Sequence, residues 1–332
     1  MNVCFSESNI SSSFNPKPQK SGEQNSKTTD PISRLFKTKK GKNGSFSKAN
    51  FQRADLGGVN FFGANLEEAN LQGANLANAN LRNANLKKAN LQNANLSGSD
   101  LRGADLSFAL LNGSNLTRVN LENADLKFAN LGCFSSQRTQ LNHANLKNTN
   151  FTQANLQGIS LAASNLTGAN LREANLNPGL DEQDPSDSII FSDFTGANLT
   201  NVNAIKAQLN RAILDGTNCE NANFKQAQIQ QANLRQANFL NADLSETNLK
   251  FTDFNQANLR GANLRISNLE GSCLVEANLI NAKLEFARLS DIDMTGANFK
   301  GANWSRAELH RNLMENITLP DGTRYHQSAD ES

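Results

Sequence analysis

The chain has 332 residues with 32 basic and 31 acidic side chains, a formal charge of +1, so no net field draws it toward nucleic acid or acidic lipid. No apolar run approaches the ~20 residues that span a bilayer, and the N-terminus lacks the apolar stretch of a secretory signal, which reads as a cytoplasmic protein without a membrane span. Leu, Ala and Asn dominate while Tyr and Trp occur once each, so any core must be made from few side-chain shapes, as in a repeat array.

In chain order, residues 1–45 carry eight Lys or Arg (Lys17, Lys20, Lys27, Arg34, Lys37, Lys39, Lys40 and Lys42) against Glu7, Glu23 and Asp30, a net of +5. They read as a basic tail, disordered over most of its length. Asp30-Pro31 is a helix start, and Ile32, Leu35 and Phe36 then share one face, predicting a short capping helix near 31–39. A membrane-surface helix using Lys37 to Lys42 is the alternative for the same segment.

Leu or Phe then falls at every fifth position from Phe46 to Leu176, with Ser136 the one exception among 27 centres. A second run, in a frame shifted by three, extends from Phe194 to Leu309; 19 of its 24 centres are Leu or Phe, the others being Ala204, Cys219, Ile229, Met294 and Trp304. Two residues before each centre sits Ala or another small or β-branched residue. One before it usually sits Asn or Asp, as in Ala64-Asn65-Leu66 and Ala104-Asp105-Leu106. Inward residues two apart require extended backbone, whereas a five-residue stripe would drift around a helix of ~3.6 residues per turn. Five is odd, so alternation breaks once per unit, and Gly or Asn late in many units (Gly63, Gly73, Asn83, Asn93) suits a turn there.

The unit A(N/D)Lxx resembles the pentapeptide-repeat family, abundant in cyanobacteria, over about residues 46–309. The resemblance implies an all-β fold, a right-handed quadrilateral parallel β-helix (β-solenoid) with four pentapeptides per coil. At that rate the array makes about 13 coils spaced ~4.8 Å apart. Departures from Ala at the small position point the same way: Val59, Ser99, Val119, Thr139 and Ile159 fall in one column of a 20-residue period. Between Leu176 and Phe194, 13 residues are added, predicting a loop at about 177–191 in one continuous solenoid whose Ser192 column is that of Val59 and Ile159. Residues 310–332 read as a C-terminal cap, with turn chemistry in Ile317-Thr318-Leu319-Pro320-Asp321-Gly322, followed by a disordered tail.

Chemistry is sparse. Cys4, Cys133, Cys219 and Cys273 have no CxxC spacing and read as reduced thiols, and His143, His310 and His326 have no ligand partners at metal-site spacing. No phosphate-binding glycine loop or activated nucleophile occurs, so no catalytic, metal or cofactor site is expected. The candidate interaction surface is the side on which Lys87, Lys88, Lys127 and Lys147 accompany outward Phe108 and Phe128. The acidic loop with Asp181, Glu182, Asp184 and Asp187 is a second candidate, either a partner-binding knob or solvated. In the stretch Cys133-Phe134-Ser135-Ser136-Gln137, Phe and Ser exchange bulk within one unit.

The leading functional expectation is a non-enzymatic scaffold whose flat sides dock a protein, with oligomers through the solenoid ends a further option. The resemblance also implies an alternative, a duplex-DNA mimic that binds type II topoisomerases. That role needs a strongly acidic rod. The array, residues 46–309, has 22 basic and 24 acidic side chains, a net of −2. Nucleic-acid binding through the basic N-terminal tail is a third reading.

Overall fold

In the unit Ala64-Asn65-Leu66-Glu67-Glu68, Ala64 and Leu66 are buried while Asn65 faces outward, which is the alternation of a strand. The Ala69 N–H then donates to the Leu66 carbonyl at 3.0 Å and closes a four-residue turn, with Glu68 in the left-handed region at φ 57°. That conformation costs a residue with a Cβ about 1–2 kcal/mol. The coil above offsets it: Leu66 and Glu68 donate their N–H groups to the carbonyls of Asn85 and Lys87, and Asn85 N–H returns to Ala64 O, at 2.7 to 2.9 Å. Asn65 completes the turn. Its Oδ1 accepts from the Glu67 N–H at 3.1 Å and from Nδ2 of Asn85 in the next coil at 3.2 Å.

The computed structural model describes residues 31–133, 137–180 and 189–325. Parallel bridges join residues 20 apart, as in Asn65↔Asn85 and Asn85↔Asp105, so backbone stacks on backbone in a β-solenoid whose bore is filled by the Leu, Phe and Ala positions. Across the added segment the ladder resumes at Ser160↔Asp193 and Asn175↔Gln208. There the two-residue strands β1 (Gly179–Leu180) and β2 (Ile189–Ile190) pair antiparallel. At the N-terminal mouth lies helix α1 (Pro31–Thr38), whose Leu35 is fully buried. Phe46 packs edge-on against Phe51 and Phe61 at 5.9 and 5.3 Å. At the other end Trp304 tilts over Phe299 at 5.2 Å, and β3 (Ile317–Thr318) pairs antiparallel with β4 (Arg324–Tyr325), burying Ile317.

One break in register corrects the column reading. Leu110 bridges Asn130, but Asn115 bridges Gln140, 25 residues on, so five residues are added between Asn130 and Gln140. Every later unit therefore lands one side short of where a constant 20-residue count places it. Val119 stacks over the Ala144 position, and Thr139 and Ile159 belong to the Ser114 column, so Val59 and Ile159 do not share a side. The exchange of bulk expected around Ser136 falls within this interval. Phe134, Ser135 and Ser136 themselves lie outside the described residues.

Leu126 has no exposed surface, so Leu126→Ala leaves a cavity in the bore and is expected to lower stability by about 2–5 kcal/mol. Denaturant unfolding followed by circular dichroism measures this.

Candidate interaction surface

The left-handed residue of each turn points outward and stacks on its counterpart one coil away, so an edge of the tube is a column of side chains that must accommodate one another. The column three residues past the Ser45↔Asn65 ladder begins Lys48, Glu68, Lys88, with Glu68 within 3.6 and 3.7 Å of the two ammonium groups. It continues with Phe108 and Phe128, whose rings stack at 4.8 Å with an interplanar angle of 15° although each is more than two-fifths exposed. Further along, Gln153 donates to Glu173 at 2.7 Å and Gln226 to Glu246 at 2.6 Å. The hydrogen bond from Gln153 holds the Glu173 carboxyl below its ordinary range, and those from Gln226 and Lys225 do the same for Glu246. The column ends with Ile266 and Phe286, exposed by 58% and 46%, and with the Arg306 guanidinium 5.4 Å from the Phe286 ring.

Lys87 and Lys88 sit beside Phe108 as expected from their spacing, and Lys127 precedes Phe128 with its ammonium 3.5 Å from Asp125. Lys147 does not join them. Its carbonyl accepts from Asn123 N–H, which places it over the unit preceding that of Lys127, displaced by the five added residues. By the same displacement the Arg118 N–H donates to the Asn142 carbonyl, in the His143 unit. Arg82 and Arg102 do lie together, joined by Asp100 at 3.7 and 2.7 Å. Burial raises the Asp100 pKa, but the hydrogen bonds and charge of Arg102 outweigh it and the net direction is down.

Four apolar residues missing from the sequence-derived surface complete this side. Ile266 and Phe286 were signalled by their 20-residue spacing in the second run. Phe251 lies across the adjoining ladder, three residues past Asn248, with its ring over Gly271. A Cβ on Gly271, at φ 70°, would stand 2.5 Å from that ring, so the close approach needs glycine there. Leu110 occupies the same ladder, between Asn90 and Asn130.

The acidic candidates Asp181, Glu182, Asp184 and Asp187 lie outside the described residues, as do Cys4 and His326. Described residues next to the two interruptions of the repeat meet at one edge: the Arg138 Nη2 donates to the carbonyls of Ile159 and Phe191 at 2.5 and 2.7 Å, the latter being the residue that follows β2. Burial pulls the pKa of this guanidinium down, against the charge of Asp193. Among the described residues no three His, Cys, Asp or Glu are grouped to hold a metal ion, and no helix is long and apolar enough to cross a membrane. Cys219 and Cys273 are free thiols, and burial pushes that of Cys219 up to about 12.

The family model for pentapeptide repeats matches in eight copies, over residues 43–67, 64–103, 99–132, 139–177, 192–230, 227–265, 262–301 and 272–311. The chain belongs to the pentapeptide-repeat family. Among solved structures it is similar to HetL, a pentapeptide repeat protein involved in heterocyst differentiation regulation from the cyanobacterium Nostoc sp. strain PCC 7120. The identity is 25% over 89% of this chain and 98% of that one, with a TM-score of 0.38. It is also similar to full-length QnrB1, a plasmid-mediated fluoroquinolone resistance protein, at 16% identity over 76% and 92% of the two chains and a TM-score of 0.27. A third is Rfr23 from the cyanobacterium Cyanothece 51142, at 23% identity over 46% and 90% and a TM-score of 0.15. No curated protein matches the chain.

Two outcomes test these electrostatics. The Asp100 pKa is lower folded than unfolded, so its contribution is fully present above the ordinary aspartate value of 3.8 and is lost as pH falls through the depressed folded value. Asp100→Asn is therefore expected to destabilise by about 0.2–1 kcal/mol at pH 7, a gap that closes in acid, read from unfolding midpoints across pH. In alkylation of the native protein at pH 8, half-buried Cys273 is expected to react before Cys219, as peptide mass spectrometry would record.

Proposed function

We propose that the chain is a non-enzymatic scaffold that binds another protein through the side bearing the Phe108–Phe128 and Ile266–Phe286 pairs. One observation carries this reading: of the ten large apolar residues most exposed among those described, Phe108, Leu110, Phe128, Phe251, Ile266 and Phe286 border or occupy this one side. Aromatic and apolar groups bordered by cations are what protein interfaces select, and an apolar row repeated along a rigid ladder presents them without an ordering cost at binding.

In this reading the rod is a right-handed quadrilateral helix with four pentapeptides per coil and about 13 coils, ~60 Å long at ~4.8 Å per coil. The 20-residue bridge spacing supports it. Residues 46–309 form one continuous solenoid with a loop at 177–191, between a basic N-terminal segment and a C-terminal cap, and the resumption of the ladder at Ser160↔Asp193 supports that continuity. Cytoplasmic placement belongs to the same proposal and is supported by the free thiols. The duplex-mimic alternative is disfavoured by the array's net charge of −2 and by the cations that pair its carboxylates at Glu68, Asp100 and Asp125.

Affinity capture from native cytosol tests the proposal. The intact chain is expected to retain a protein that the variant Phe128→Ser/Ile266→Ser/Phe286→Ser loses, while DNA supercoiling by a type II topoisomerase is unchanged by either. Equal retention by both proteins, or inhibited supercoiling, would count against it.

A further inference from the structure

Between residues 31 and 54 the chain carries seven Lys or Arg and no carboxylate. Residues 1–30 are balanced, with Lys17, Lys20 and Lys27 against Glu7, Glu23 and Asp30, so the surplus of the first 45 residues sits wholly on α1 and the start of the first coil. Two of the seven cations are neutralised across coils, Lys39 by Asp55 at 3.7 Å and Lys48 by Glu68 at 3.6 Å. Arg34, Lys37, Lys40 and Lys42 are exposed and have no carboxylate within 4.0 Å among the described residues.

Three of these four converge. A cavity of about 340 Å³ opens between α1 and the first coil, and Arg34, Lys40 and Lys42 line it together with Gly41, Gly44 and Phe46. Its walls are fixed by the core: Leu35 anchors the helix with no exposed surface, and a Cβ on Gly41 would stand 2.5 Å from the Phe61 ring. Lys42 is further positioned by the Phe62 ring, 5.5 Å from its ammonium. Three cations held on rigid elements around one opening repel each other until an anion enters. A ligand with two or more negative charges turns that repulsion into charge-assisted hydrogen bonds, the planar fork of Arg34 matching two phosphate oxygens and the lysines acting as point charges.

We infer that this N-terminal mouth is a binding site for a small soluble ligand carrying a diphosphate group. The charges converge on a cavity rather than spreading over a flat face, and the volume lies near the lower end of ligand pockets, which run from about 300 to 1,000 Å³. A lipid surface is the poorer fit, because most of the apolar face of α1 is turned to the solenoid: Leu35 is buried, Ile32 packs against the core, and Phe36, though 44% exposed, stands edge-on to Phe51 at 6.1 Å.

Calorimetric titration of the full chain with inorganic pyrophosphate tests the site. The expected result is saturable binding at one site that weakens as KCl is raised. Lys40→Gln/Lys42→Gln and Arg34→Gln, at exposed positions, are each expected to lower affinity at least tenfold with unchanged circular dichroism. Arg260→Gln/Arg265→Gln, far along the array, is expected to leave it unaltered. A melting temperature raised by pyrophosphate, beyond the effect of KCl at equal ionic strength, gives a second readout. Absence of saturable binding, equal affinity in the mouth variants, or tighter retention by duplex DNA or phosphatidylglycerol vesicles than by pyrophosphate would overturn the assignment.

Discussion

Everything in this molecule follows from the hydrogen bonds that one coil makes to the next. An odd-numbered unit cannot alternate faces indefinitely, so each unit must turn, and each turn holds a residue at positive φ that is usually not glycine, as at Glu68, Phe108 and Arg211. Alone, such turns are unfavourable. Stacked, each is held by the N–H and carbonyl groups of the coils above and below, and by an Asn or Asp side chain that bonds both its own turn and the next coil. Stability then comes from neighbour contacts repeated along the axis, as in other solenoids.

Stacking has a consequence for the outside of the tube. Side chains on an edge meet the same partner type in every coil, at one strand spacing, so the surface becomes a set of columns in which charge must alternate, amides must bridge or rings must stack. The Lys48–Glu68–Lys88 series, the Gln153–Glu173 pair and the Phe108–Phe128 stack are three solutions to one problem. Ladder packing accounts for the stacking of the two rings, but it does not account for six exposed apolar residues gathering on a single side while the edge from Asn43 to Gly301 is built from asparagine and glycine.

The ends and interruptions carry what the repeat does not supply. At the N-terminal mouth the helix α1 covers the open bore with Leu35, and Arg34, Lys40 and Lys42 there have no carboxylate within 4.0 Å among the described residues. Described residues next to the two interruptions of the repeat meet at the same edge and are tied by one guanidinium, that of Arg138. Departures thus accumulate locally and leave the rest of the ladder undisturbed.

Residue by residue, the unit was legible in the sequence. The Leu and Phe stripe, the Ala two positions before it and the Asn between them are local choices, decided by which side chains fit a bore, a wall and a turn, and Phe108 with Phe128 could be paired because no interruption separates them. Lys147 could not be placed, and neither could the shared column of Val59 and Ile159. Which residues meet across coils depends on the cumulative count of residues in every coil between, and the five added near 134–138 look in sequence like one more unit of the same period. Only the stacked backbone reveals the shift, because there the Leu116 N–H donates to the Gln140 carbonyl and the Gln140 N–H to that of Ser114.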